Sequence, residues 1–189
     1  MQKPSVPMLP KDEAERRAKS QSIQERFAGL SVFRILLNHP ALAREVVNTL
    51  TSLLFEDNVL DPRLRELLIM RIAWVRGSDY EWTQHWRVAR GLDIPRADLL
   101  AVQNWRNASQ LSDADRAVLQ ATDDCLDHGF IQPTTWDSVK VHLKTAAEHI
   151  ELVIAIGNWM QFAQLLRSLD VPLEEGVRSW PPSGEGPQF

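Results

Sequence analysis

The sequence predicts an all-α fold: a helical bundle of seven or eight helices with no sheet. Three observations lead there. Apolar residues recur at helical spacing along most of the chain. No run of four to eight residues combines strict apolar/polar alternation with β-branched enrichment, as a half-buried strand would. Helix starts and stops are marked at short intervals by Asp-Pro, by Ser or Thr followed three residues later by an acid, and by Gly.

In order, residues 20–38 read as a first helix, with Ile23, Phe27, Leu30, Phe33 and Leu37 on one face. Pro40 opens the next, with Leu42, Val46, Leu50 and Leu53 or Leu54 facing inward. Asp61 then Pro62 is an N-cap followed by proline at the first helical position, and DPRLRELLIMRIAWVRG ends near Gly77. Ser78 can cap the following helix, which carries His85 and stops near Gly91. Pro95 starts a short helix through Leu99, Leu100 and Val102. Ser112 with Asp115 and Thr145 with Glu148 are capping-box patterns for two later helices, and Pro133 opens another between them. The segment 146–169 is apolar almost all round, which suits the centre of a bundle or a subunit interface. The end, PLEEGVRSWPPSGEGPQF, reads as an extended tail, either mobile or pinned to a neighbouring surface by Trp180. These readings divide the chain into an N-terminal extension (1–20), a helical domain (21–171) and a Pro/Gly-rich tail (172–189).

The chain has 189 residues, 44% hydrophobic and 24% charged, the profile of an ordinary globular protein. Lys+Arg is 21 and Asp+Glu is 25, a net charge of −4, so no basic surplus draws it to nucleic acid or anionic lipid. The N-terminus is Pro-rich and then charged, unlike a signal peptide, and no uncharged apolar run reaches the roughly 18 residues of a membrane span. A cytoplasmic protein is expected. One cysteine, Cys125, rules out an internal disulfide and a Cys-x-x-Cys motif.

The chemistry concentrates in GSDYEWTQHWRVARG, residues 77–91. On a helix, Ser78, Glu81 and His85 form one stripe, and Trp82, Trp86 and Ala89 form the next. An imidazole at such a seam can be partly buried and still reach a ligand. The preceding helix carries Glu66 among apolar neighbours, where a carboxylate needs a partner or a task. Glu66 and His85 lie at axial heights of about 16 Å and 12 Å from the turn at Gly77, so they meet if both helices face inward. Trp82 and Trp86 at this spacing are more often core than substrate platform. His39, His128, His142 and His149 are scattered and do not stand at metal-ligand spacing, so no metal site is expected.

The block LDPRLRELLIMRIAWVRGSDYEWTQHWRVARGLDIP resembles the core motif of the carboxymuconolactone decarboxylase family, which shares its helical fold with the alkylhydroperoxidase AhpD. The similarity continues through LSDADRAVLQATDDCLDHGFIQPTTW to LDVPLEEGV, so it covers about residues 30–177. The resemblance implies an AhpD-like bundle that assembles as a trimer or hexamer. In the family's peroxidase branch a glutamate, a Cys-x-x-Cys pair and a histidine carry the site. By position these fall on Glu66, on Ser78 and Glu81, and on His85, with Tyr80 at a proton-relaying position. Both sulfurs are absent, and thiol peroxidase chemistry needs an attacking and a resolving thiol. The decarboxylase branch is similar in using YEWxxH without the dithiol, and its reaction needs no cofactor.

The resemblance thus implies a cofactor-free lyase or isomerase acting on a small, anionic, carboxylated lactone or unsaturated acid. His85 would donate the proton, with Glu66 or Glu81 orienting it. Tyr80 and Ser78 would donate hydrogen bonds to an oxygen. Trp74, Trp82 and Trp86 would wall the pocket, and Arg71 or Arg87 would meet the substrate's charge. Two other readings stand beside it: an antioxidant protein that has lost its redox dithiol, and a non-enzymatic helical oligomer that binds a small ligand.

Overall fold

The computed structural model describes residues 4–56 and 58–188, and among these every regular element is a helix. The chain divides into two compact units. One comprises residues 1–58 and 165–178, the other residues 59–164 and 179–189.

The first unit holds α1 (Lys11–Ser20), α2 (Glu25–Ala28), α3 (Ser31–Leu36) and α4 (Pro40–Leu54). The single helix expected over 20–38 is therefore broken. Ser22 adopts φ 58°, and the Ile23 N–H turns back to the Ala18 carbonyl, closing α1 before the next helix starts. Phe27, Phe33 and Leu37 are still buried, delivered by short helices rather than one long one. Phe27 and Phe33 meet edge-on at 4.9 Å. The buried face of α4 is Ala43, Val47, Leu50 and Leu53: Leu50 and Leu53 are buried as expected, while Ala43 and Val47 take the places expected of Leu42 and Val46, and Leu42 is exposed. The far end of the chain closes this unit: the Ser31 N–H donates to the Glu174 carboxylate and the Ser5 N–H to the Leu169 carbonyl.

The second unit is built round α5 (Pro62–Arg76), which is buried over most of its circumference from Arg65 to Ala73. Asp61 caps it, accepting from the Arg63 and Leu64 N–H groups, and Pro62 occupies the first helical position. Gly77 ends it at φ 62°, a left-handed position that favours glycine. The chain enters α6 (Asp79–Gly91) at once. There follow α7 (Arg96–Ala101), a 3₁₀ turn (Val102–Asn107), α8 (Asp113–His128), α9 (Pro133–His142) and α10 (Ala146–Ser168). Both expected capping boxes form, at Ser112/Asp115 and Thr145/Glu148.

Two ion pairs lock α8 to α5, Arg63 with Asp115 and Arg71 with Asp123. Both span 52 residues and lie eight residues apart on each helix, so the two helices run in the same direction. Residues 146–164 of α10 belong to this unit, and Leu152, Ala155, Ile156, Trp159 and Ala163 are its buried face. Ile150, Val153 and Ile154 on the same helix are exposed. Among the described residues no helix is long and apolar enough to cross a membrane.

Candidate functional site: two buried carboxyls at the α5–α6 corner

The short turn at Gly77 brings the inward stripe of α6 onto α5. Glu66 is fully buried, and its Oε2 lies 2.8 Å from His85 Nδ1. Its other oxygen accepts from Arg65 Nε at 3.3 Å, and Arg65 is itself buried. The opposite ring nitrogen of His85 is also taken. Trp159, from α10, donates its indole N–H to Nε2 at 3.0 Å, its ring edge-on to the imidazole. An indole nitrogen can only donate, so Nε2 must be the acceptor and the ring proton sits on Nδ1, pointing at Glu66. Arg65, Glu66, His85 and Trp159 thus form one continuous buried chain, with His85 13% exposed at its side chain.

Glu81, also buried, has no such partners. Neither of its oxygens has a hydrogen bond, and the same holds for Ser78 Oγ beside it. The cause is local. Ser78-Asp79-Tyr80-Glu81 has the Ser-x-x-Glu pattern of a capping box, in which the glutamate would accept from the serine N–H. Here that N–H is already bonded to the Ala73 carbonyl at 2.8 Å, closing α5 around Gly77. The tight turn uses the donor that Glu81 needs, and no side-chain bond caps α6, contrary to the role expected for Ser78. Burial raises the Glu81 carboxyl well above the usual carboxylate range. The nearby Ser78 hydroxyl pulls weakly the other way without making a bond of good geometry. Burial thus shifts Glu81 toward the neutral acid, whose carboxyl oxygens no protein group holds in a hydrogen bond of good geometry.

The remaining expected site residues divide. Tyr80 is buried in the first turn of α6. Trp82 and Trp86 stack at 6.1 Å within a core that includes Leu67, Met70, Leu99 and Leu119, with Trp74 packed against it. Two surface cavities, of 690 and 420 Å³, are lined by none of Trp74, Trp82, Trp86, Glu66, Glu81 or His85. Arg71 is turned to a structural task. Its Nε and one terminal nitrogen hold Asp123, and the other bonds the Val102 and Gln103 carbonyls. Asp123 also accepts from Trp105 and Arg106, so this is a packed polar knot and not an anion site. Sequence reasoning missed Trp159 and Arg65. Arg65 adjoins Glu66 in the motif and was open to notice; Trp159 lies 74 residues from His85, and no local spacing joins them.

Residues 40–124 match the model of the Carboxymuconolactone decarboxylase family. No curated protein sequence matches the chain. Several solved structures share the fold. An AhpD-core, uncharacterized peroxidase-related protein from Ralstonia eutropha JMP134 is 14% identical, with 94% of this chain and 95% of that one covered and a TM-score of 0.74. The debrominase Bmp8, as a cysteine-to-alanine variant in complex with 2,3,4-tribromopyrrole, is 14% identical over 94% of this chain and 95% of its own, at 0.70. An uncharacterized peroxidase-related protein from Silicibacter sp. TM1040 is 14% identical over 94% and 97%, at 0.68. At such identity these likenesses establish the fold alone, and it is AhpD-like. With the family match centred on the α5–α6 corner, residues 40–124 belong to the carboxymuconolactone decarboxylase family, in a branch without the Cys-x-x-Cys pair.

Proposed function

We propose that this chain is a cofactor-free lyase or isomerase acting on a small, anionic, carboxylated lactone or related unsaturated acid. The observation that carries the reading is Glu81: a buried carboxyl with no hydrogen bond to either oxygen, shifted by burial toward its neutral form, beside a Ser78 hydroxyl that is also without one and one turn before His85. Idle polar groups in a dry site are costly to a merely structural helix and useful to an acid catalyst.

Loss of CO₂ from such a substrate drives the electron pair of the breaking bond onto the lactone carbonyl, giving a dienolate. Ser78 donates a hydrogen bond to that oxygen, and the Glu81 carboxyl gives its proton to carbon and regains one from water. In this reading Glu81 and not His85 is the proton donor, which the acceptor role of His85 Nε2 toward Trp159 supports. In an isomerisation His85 would be the base. Once the Trp159 N–H swings away, Nε2 takes a proton from one carbon while Glu81 protonates another. Glu66 and Arg65 hold the ring for that task. Tyr80 serves the same first turn of α6, and Trp74, Trp82 and Trp86 stiffen the wall behind it. The debrominase neighbour is described with a small planar ring bound, which fits a flat substrate here by fold analogy alone.

The lost-dithiol antioxidant reading has less support. The chain's one thiol, Cys125, is buried, and burial with the neighbouring Asp124 charge pushes it to about 11, far from a reactive thiolate. Self-association belongs to the same proposal. The exposed Ile150, Val153 and Ile154 stripe of α10 suits contact with further copies in a trimer or hexamer, and mass photometry across a dilution series tests it.

The deciding experiment is turnover of γ-carboxylated unsaturated lactones by wild type and Glu81→Gln. The amide fills the same space and has no carboxylic proton. A fall of roughly 10²–10⁴-fold with an unchanged circular dichroism spectrum is expected. Equal turnover in both proteins would sink the assignment of Glu81.

A further inference from the structure

A second feature lies on another face of α6. Residues 179–188 fold back on the first turn of that helix and set the Trp180 indole against Trp74 and Trp82, ring centroids 5.9 Å from each. Trp74 and Trp82 are 5.3 Å apart, so the three indoles form a small aromatic box with Trp180 as its removable side. The polar contacts come from the tail's backbone and from Ser179. The Trp180 N–H donates to Asp79 Oδ1 at 3.0 Å and to Thr83 Oγ1 at 3.2 Å. The Pro181 carbonyl accepts from the buried Trp82 indole N–H at 2.8 Å, and the Ser179 hydroxyl donates to the other Asp79 oxygen.

Two details mark this ring as an occupant and not a core residue. Trp180 is only partly buried and adopts φ 47°, a left-handed conformation that an aromatic residue seldom takes unless its surroundings impose it. Gly186 packs against it so closely that a Cβ there would lie 2.6 Å from the indole. The Thr83 hydroxyl already donates to Asp79 Oδ1 at 3.0 Å within the helix, so the group that most needs an outside partner is the buried Trp82 N–H, which only the Pro181 carbonyl is seen to meet.

We propose that the face formed by Asp79, Trp82 and Thr83, with Trp74 beside it, is a binding site for a small planar heteroaromatic amide, and that the chain's own Trp180–Pro181 unit fills it until such a ligand displaces the tail. The ring would take the place of the Trp180 indole against Trp74 and Trp82. An N–H would replace that of Trp180 at Asp79, and a carbonyl would replace that of Pro181 at Trp82 Nε1. The carbonyl is the discriminating group, since a ligand without an acceptor leaves a buried indole N–H unpaired. Asp79 disfavours a carboxylate in the same position. This face lies about 120° round α6 from the Ser78, Glu81 and His85 stripe, so the proposal stands or falls apart from the lyase reading.

Isothermal titration of the full-length protein with indole-3-acetamide tests it, in wild type, Gly186→Ala and Trp180→Ala. A tail in place about nine-tenths of the time weakens apparent affinity about tenfold. Gly186→Ala puts a methyl into the Trp180 ring and loosens the folded-back tail, and Trp180→Ala removes the ring, so each should bind about tenfold more tightly than wild type. Adding Trp74→Ala to Gly186→Ala should abolish that gain. Because Gly186→Ala alters only the tail, it serves even where Trp180→Ala folds poorly. Equal affinity across the three proteins, no binding by any, or a gain that survives Trp74→Ala overturns the proposal. So does binding of the peptide SWPPSGEGP by Trp180→Ala without binding of indole-3-acetamide, which would make the face a tail-docking groove only.

Discussion

Glu66 and Glu81 are both buried carboxyls of consecutive helices, and they are treated in opposite ways. Glu66 is met by Arg65 on one oxygen and His85 on the other, and the imidazole is met in turn by Trp159. Glu81 has only the nearby Ser78 hydroxyl, and neither of its oxygens has a hydrogen bond of good geometry. Burial alone therefore does not define a role. A buried acid enclosed by donors is an anchor whose removal should hurt folding. A buried acid left without donors is a cost to folding that is expected to return as chemistry.

The largest expected effect follows from the anchored side. Glu66→Ala leaves the Arg65 guanidinium buried without its carboxylate and frees the His85 Nδ1 proton into an apolar setting. Breaking a buried pair from one side costs about 3–5 kcal/mol. Urea denaturation should show it as a lower midpoint with an unchanged slope. A loss under about 1 kcal/mol would mean that Glu66 is no more an anchor than Glu81. Next in size is Trp159→Phe, which keeps the ring and deletes the donor. His85 Nε2 is then an unsatisfied acceptor, at about 1–3 kcal/mol. In the isomerase form of the proposal the variant also gains at the chemical step, because Nε2 no longer has to shed the indole N–H. A stability loss with unimpaired turnover separates this role from that of a catalytic donor.

The same contrast explains what was legible in the sequence. The Glu66–His85 pair could be read because both residues are measured from one turn: helix rise and the Gly77 stop fix their heights. The helix starts at Asp61, Ser112 and Thr145 were legible for the same reason, since a cap is decided within four residues. What failed was set by partners far along the chain. Arg71 looked free for a substrate until Asp123, 52 residues on, took it. Trp159 was one more apolar residue of the segment 146–169 until α10 placed its nitrogen on His85. The break at Ser22 was hidden because the apolar spacing of residues 23–37 is the same for one helix or several. Ser78 is the most instructive case. Its pattern is that of a cap, and only the competing demand of the α5 terminus for the same N–H shows why Glu81 is left over.

The smallest effect, and the one with the opposite sign, belongs to the unpartnered side. Glu81→Met replaces a buried carboxyl by an apolar side chain of similar length, so turnover should be lost while stability rises, by about 1 kcal/mol at pH 4 where the acid is mostly neutral in both states. The gain should depend on pH. The folded-state carboxyl titrates well above 4.5, its value in an unfolded chain. Below that value both states carry the proton, and the favourable contribution of the neutral acid is fully present. As pH rises further, the unfolded carboxyl ionises while the folded one does not, so the folded wild type loses ground until pH passes the raised folded value. Thermal melts of wild type and Glu81→Met should therefore diverge as pH rises above 4.5, with Glu81→Met further ahead than at pH 4. Parallel melting curves would mean that Glu81 ionises in the folded protein as readily as in water, and the neutral acid on which the proposed proton transfer depends would not exist.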